Sequence, residues 1–447
     1  MLLRQVPYAD IPNRIGLLVP YMLNALSVPA VQLSQALPAQ IADLRGNMHA
    51  CVAENRAAWS ALHHQLESQI SLHSHESHID NDANGLRLRV KTPDGFLETR
   101  HDLNDELNKG LLLLAQQLWP DASHLLSRRG WFAICLKEQD TVFQLDHIQN
   151  SAGSTYSFRR LYELQCPLPQ LDQLLTIPDQ ANEVRQLLTQ TEGLTLFADR
   201  SRNHRVKTAR AIAQYMTSPE RRIMMSETTC HPLIPGITQI TLPLDATTEH
   251  YQAWRQACDT SYDVIIALET DHEPSRLTRL ASENTLVVQG VCAGSASGAL
   301  GQLLASGVRP EAIARSLKGI IVQYPVPLIC QHCKTAVPVD DELNEWIGEH
   351  SPVQSNAIDV WLSERITDKF VQALGCARCN ETGIESVTVC AECITIPNDV
   401  LDALSDSDIR YAINSLDLMG GNMGSIVKLA RTGQVSFKHA KFRLTQQ

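Results

Sequence analysis

The sequence predicts an α/β protein with a largely parallel main sheet, preceded by a smaller α/β unit and followed by a cysteine-rich segment. Three observations predict it. Between residues 183 and 325, short and nearly continuous apolar strands alternate with helical stretches, the pattern of a sheet covered on both faces. Ahead of it, "NGLRLRVKTPDGF" alternates apolar and basic residues around a Pro-Asp-Gly turn, which marks a hairpin strand. Behind it, three Cys-x-x-Cys pairs fall within 64 positions.

In chain order, residues 1–67 read as a helical segment, with apolar residues at helical spacing in "PAQIADLRGNMHACVAENRAAWSALHHQLES". Residues 68–165 form the small α/β unit, with strands "GWFAICLKEQ" and "STYSFRRLYEL" and the helical "LNKGLLLLAQQLW". Residues 166–182, within the Pro-containing stretch "QCPLPQLDQLLTIPDQAN", read as a linker. Residues 183–325 supply strands "GLTLFA", "RRIMMSE", "YDVIIALE" and "TLVVQGV" and helices "KTARAIAQYM", "PSRLTRLASE" and "GALGQLLASG". Residues 326–396 carry the cysteine pairs, and 397–447 read as a helical tail.

A chain of 447 residues is too long for one ordinary core, so roughly two to four domains are expected. The composition is globular, with 44% hydrophobic and 19% charged residues. A net charge of -11 and a pI of about 5.8 argue against nucleic acid as a partner, because phosphate neutralisation needs a basic face. The most apolar amino-terminal run, "IGLLVPYMLNALSVPAVQL", is broken by Pro20, Asn24 and Pro29. No window reaches the ~20 apolar residues of a bilayer span. The expectation is a cytoplasmic protein without a membrane span, any membrane association going through a partner.

The strongest chemical signal is Cys330 and Cys333 in "CQHC" with Cys376 and Cys379 in "GCARC". Two such turns supply the four thiolates of a tetrahedral zinc site, and a closed sphere makes the metal structural. The bland reading is two unrelated pairs of reduced cysteines. Cys390 and Cys393, in the strand-like "VTVCAECITI", point to opposite faces and read as small core residues.

A second signal is Lys207-Thr208 opening a helical run after "LTLF" in "ADRSRNHRVKTARAIAQYM", where a nucleotide-binding protein keeps its Lys-Ser/Thr pair. Arg200, Arg202, His204 and Arg205 form a basic run that could hold an anion or belong to a solvated loop.

The order of segments from about residue 70 to 447 resembles the secretion ATPase superfamily of type II secretion and type IV pilus assembly. "SHIDNDANGLRLRVKTPDGFL" looks like its first-domain strand pair. "EGLTLFADRSRNHRVKTARAIAQYMTSPERRIMMSETTCHPLIPGITQI" looks like its phosphate loop and Asp box. "YDVIIALETDHEPSRLTRLASENTLVVQGVCAG" looks like Walker B running into the His box. "GALGQLLASGVRPEAIARSLKGIIVQYPVPLICQHC" resembles its approach to the zinc pairs. The resemblance implies a RecA-like, P-loop-type ATPase domain after a small α/β domain, a four-cysteine zinc subdomain, and hexamers at a secretion platform. It also implies ATP with magnesium, held by Ser201, Val206, Lys207, Thr208, Asp263, Arg255, Arg87 and Arg89, with Glu227 and Glu269 as catalytic carboxylates.

The departures matter as much. The two loop glycines of the family fall on Ser201 and Val206, a β-branched residue where a left-handed backbone is needed. The Asp box loses acids at Thr228 and His231, and the glycine before Glu269 is Leu268. The His-box histidines fall on Thr285 and Cys292. The reading is a degenerate family member acting as an assembly or regulatory subunit, alone or in a mixed ring with an active ATPase. The alternatives are a divergent working ATPase and, third, a zinc-ribbon interaction scaffold.

Overall fold

The structure is a computed structural model that describes residues 55–83, 85–92, 95–101, 106–119, 127–136, 139–151, 153–163, 168–175, 177, 180–200, 202–228, 231–242, 248–268, 273–337, 345, 370–419 and 424–445. The described residues fall into two compact units, one within Met1–Pro167 and Cys230–Pro235, the other within Leu168–Thr229 and Gly236–Gln447.

The first unit contains α1 (Arg56–Ser71), β1 (Glu76–Asp82), β2 (Gly85–Thr92), β3 (Gly95–His101), α2 (Glu106–Leu118), β4 (Ser127–Leu136), β5 (Gln139–Asn150) and β6 (Gly153–Glu163). Its sheet runs β3-β2-β1-β6-β5-β4, with every pairing antiparallel. The predicted hairpin is β2 with β3, Thr92 opposite Gly95. Trp59, Leu62 and Leu66 recur on one face of α1 and, with Leu107, Leu111 and Leu114 of α2, bury Ile79, Leu88, Phe132, Phe143 and Phe158. That apolar stripe is why α1 belongs to this core. The domain boundary drawn at residue 67 therefore cuts a helix; most of the segment expected before it lies outside the described residues.

The second unit is built on β7 (Gly193–Ala198), β8 (Ile223–Glu227), β9 (Ile237–Thr241), β10 (Val264–Ala267), β11 (Leu286–Val291), β12 (Leu317–Ile329) and β15 (Ile384–Thr395). The order is β15-β12-β7-β11-β10-β8-β9, parallel except for the edge pair β12–β15. β7, β8, β10 and β11 are buried throughout, as apolar runs between two helical layers must be. Besides a single turn at Leu171–Leu174, the described helices are α3 (Gln180–Leu187), α4 (Arg202–Met216), α5 (Thr248–Cys258), α6 (Pro274–Ala281), α7 (Ala296–Ala305), α8 (Pro310–Ser316), α9 (Asn398–Ser405), α10 (Ile409–Met419), α11 (Gly424–Arg431) and α12 (Phe437–Thr445).

Two expectations change here. The expected cysteine subdomain, 326–396, is not one piece. β12 and β15 are main-sheet strands, and among the described residues between them β13 (Lys334–Ala336) and β14 (Val371–Ala373) form a separate two-stranded sheet. The helical tail is core: Val400, Leu404, Ala412 and Leu416 pack with Ala296, Leu300 and Ile313. Sequence periodicity reports that a helix has an apolar face, and leaves open which surface that face covers.

His147 of β5 lies across the strands from Arg128 and Tyr156, its ring 4.7 Å from that of Tyr156. Burial, and secondarily Arg128, hold its pKa below the usual 6.5. The folded unit then binds fewer protons than the unfolded chain near that pH, so stability falls as pH drops through 6.5 and is unaffected above it. Urea unfolding followed by tryptophan emission should give a lower midpoint at acidic than at neutral pH, and His147→Phe should flatten that difference.

Candidate functional site

The carboxyl edge of the parallel sheet is where an α/β fold of this kind places its ligand. Three residues, 199 to 201, separate β7 from α4, which starts at Arg202. A phosphate loop needs a longer stretch of non-helical backbone whose N–H groups turn inward around an anion. Here that stretch is helical. Val206, expected at a left-handed loop position, is buried in the second turn of α4 and is not among the positive-φ residues. Its N–H is committed along the helix axis. Lys207 is half-buried about one and a half turns into α4, and Thr208 is fully buried, its hydroxyl without a hydrogen-bond partner. Ser201 lies outside the described residues.

Basic side chains fill the edge. Arg205, 4% exposed, donates from Nη1 to the carbonyls of Asp199 at 3.1 Å and Val291 at 2.7 Å, the ends of neighbouring β7 and β11. Asp199 is itself buried and accepts from Gln323 Nε2 of β12 at 2.8 Å. Arg200 lies against Gly294, where a Cβ would sit 2.7 Å from its Nε. The solvated-loop reading of this basic run therefore fails for Arg205 and for the buried His204.

Glu227, expected as a catalytic remnant, ends β8 in a buried ion pair with Arg210 of α4, 2.7 Å away, and accepts from Gln239 Nε2 of β9 at 3.0 Å. Its charge is already committed to tying α4 to the sheet. Glu269 lies outside the described residues. Leu268, fully buried, packs its side chain over Gly290 of β11.

Asp263 precedes β10, at the amino end of the strand, and accepts the backbone N–H of Arg222 at 2.7 Å. A four-residue strand separates it from the ligand edge, about 13 Å, which corrects its assignment to the nucleotide. Thr285 is likewise at the amino end of β11, donating to the carbonyl of Tyr262 at 3.1 Å. Arg255 pairs with Glu273, the residue before α6, and Arg276 joins that carboxylate at 3.0 Å. In the first unit, Arg87 pairs with Glu98 and Arg89 with Asp80, each at 2.7 Å.

The four cysteines do come together. Their sulfurs all lie within 4.8 Å of one another, with Cys330–Cys376 at 3.9 Å, Cys333–Cys379 at 3.8 Å and Cys376–Cys379 at 3.7 Å. Tetrahedral zinc with Zn–S of about 2.3 Å requires sulfurs about 3.8 Å apart, so the donor set fits. Backbone N–H groups of Cys376 and Gly383 each reach Cys379 Sγ at 3.2 Å. Gly375 and Gly383 take φ of 92° and 71°, and a Cβ on Gly375 would meet the carbonyl of Glu381 at 2.5 Å. Burial pushes the Cys379 thiol up, but those N–H bonds and the neighbouring thiols of Cys376 and Cys333 outweigh it and bring it to about 7. Burial and neighbouring thiols push Cys333 up to about 12, against the N–H of Gly375. The four thiols could bind a metal.

Cys390 and Cys393 take no part. Cys390 is fully buried, donating to Tyr324 Oη at 3.2 Å and accepting from Gln180 Nε2 at 3.1 Å. Cys393, on the other strand face, is pushed up to about 12 by burial and then by Glu183 and Glu392. Sequence reasoning missed Arg210, Gln239, Asp199 and Gln323, for which a polar residue in an apolar strand or helix was the available signal.

Glu227→Ala should strand the Arg210 charge and cost about 3–5 kcal/mol, read as a lower urea midpoint. The double replacement Glu227→Leu with Arg210→Met should recover most of it.

The family described as "Type II/IV secretion system protein" matches residues 60–422. The type IV pilus assembly ATPase PilB of Thermus thermophilus is 23% identical over 274 residues, 61% of this chain and 28% of that protein. The type II secretion system protein E of Pectobacterium carotovorum is 27% identical over 244 residues, 54% of this chain and 45% of that protein. Those matches thus span less than half of either relative. In Klebsiella pneumoniae the protein of the same description is 23% identical over 381 residues, 83% of this chain and 68% of that one. Among solved structures, the Legionella pneumophila ATPase DotB superposes with a TM-score of 0.55 at 12% identity, over 86% of this chain and 94% of that one. The pilus retraction motor PilT with bound ADP gives 0.50 at 14%, over 85% and 95%. Those two likenesses are of fold. With the match running from the first unit into the carboxyl-terminal helices, the chain belongs to the type II/IV secretion system protein family.

Proposed function

We propose that this chain keeps the family fold, has lost most or all hydrolytic power, and acts as an assembly or regulatory subunit of a type IV pilus or type II secretion machine. The observation that carries this reading is the early start of α4 at Arg202, with the Arg205 guanidinium donating to the ends of β7 and β11. Hydrolysis needs a phosphate cradle, a liganded metal and a carboxylate that positions water. The backbone that would form the cradle is helix, and Glu227 is spent on Arg210. In this reading the chain works in the cytoplasm. It joins a homohexamer, or a mixed ring with an active ATPase, that docks on an inner-membrane platform protein.

Cys330, Cys333, Cys376 and Cys379 hold a zinc ion in the same reading. Four thiolates fill its coordination sphere, so it supplies folding energy and no open position for chemistry.

Calorimetry with ATP, with and without magnesium, tests the first claim. No saturable binding is expected at micromolar ATP, and turnover should equal the buffer blank and be unchanged by Lys207→Ala. Micromolar magnesium-dependent binding, or turnover abolished by Lys207→Ala, would instead assign a divergent working ATPase. Elemental analysis of protein purified without chelators should find about one zinc per chain, lost on replacing Cys330 and Cys376 by serine; metal-free wild type would end the zinc claim.

A further inference from the structure

Among the described residues ten large apolar side chains are exposed, and four of them, Ile409, Tyr411, Leu418 and Met419, lie on the eleven-residue α10. The helix buries Ala412 and Leu416 inward. Tyr411 and Leu418 are two turns apart on the opposite face, and Leu418 is 84% exposed. The spacing i, i+7 is that of anchors which a helix laid alongside can engage.

The charge around this stripe is predominantly negative. Residues 398–419, spanning α9 and α10, carry five aspartates against one arginine. Asp399, Asp402, Asp406, Asp408 and Asp417 are all exposed. Two of them organise the surface: Asp408 Oδ1 accepts the N–H of Tyr411 at 3.1 Å, and Asp399 Oδ2 accepts from Tyr411 Oη at 3.0 Å. The other three have solvent-facing carboxylates whose charge is open to a partner.

We propose that the outer face of α9 and α10 docks a cationic amphipathic helix of a partner protein. Its apolar face would cover Tyr411 and Leu418, and its lysines or arginines would meet Asp402, Asp406 and Asp417. A predominantly negative rim steers such a partner and sets its orientation, while the apolar stripe supplies residence time. The same charge repels anionic lipid headgroups and nucleic-acid phosphates. This surface is independent of the nucleotide edge, so the inference stands or falls separately from the reading above.

The test uses the full chain and a fluorescein-labelled synthetic peptide of about 18 residues, five helical turns, with leucines on one face and lysines on the other. Anisotropy should show saturable binding that weakens with salt. Leu418→Ser with Tyr411→Ser should weaken it about tenfold or more; Leu418→Ser alone, which breaks no hydrogen bond, should weaken it at an unchanged melting temperature. Asp402→Asn with Asp406→Asn and Asp417→Asn should do the same. A peptide with glutamate for lysine should not bind. The inference is overturned if the serine variant binds the peptide as well as wild type does, or if a peptide with scrambled leucines binds equally. It also fails if anionic vesicles bind in place of the peptide. Concentration-dependent self-association that Leu418→Ser abolishes would assign the face to a second copy of the chain, against the proposal.

Discussion

A guanidinium buried at the end of a parallel sheet must spend its donors on whatever oxygen is in reach. At Arg205 those oxygens are the carbonyls of Asp199 and Val291. The bond pair ties two adjacent central strands at the edge where ligands of this fold class normally sit. The helix carrying Arg205 begins at Arg202, so that side chain leaves from its first turn. Arg210, five residues on, repeats the device at β8, two strands beyond β11, with Glu227 as its acceptor. α4 is thus clamped to the sheet by two buried cations.

The cysteine module is positioned by the same sheet. β12 and β15 pair antiparallel from Gly319 opposite Thr395 to Ile329 opposite Ile384, and the sulfurs gather where that ribbon ends. Cys330 follows β12 directly, and its N–H donates to the carbonyl of Gly383, just before β15, at 2.8 Å. The knuckle is thus hung on the edge pair of the main sheet.

Much of the fold was legible beforehand. Alternating apolar strands and helices gave β7, α4, β8, β10 and β11, because a strand buried on both faces has no polar alternation to hide it. The cysteine spacing gave the donor set, because two turns of Cys-x-x-Cys can meet at one point. The loop residues were harder. Val206 read as a damaged phosphate loop on the assumption that the helix opens at Lys207. The helix instead begins at Arg202, and its Arg205 reaches Val291 of β11, 86 residues away in sequence. Asp263 matched a motif, but only strand direction shows that it faces the wrong edge.

Local pattern by itself determined the α/β class, the strands and helices of the main sheet, the family resemblance and the four convergent sulfurs. Each of these depends on residue type and short spacing, which the chain carries wherever it folds. Tertiary structure decided that β12 and β15 join one sheet, that the last helices are core, and that the basic run turns inward. Those outcomes rest on pairings between residues distant along the chain. Whether a buried charge finds its acceptor is settled only when the strands that bear the acceptors are side by side.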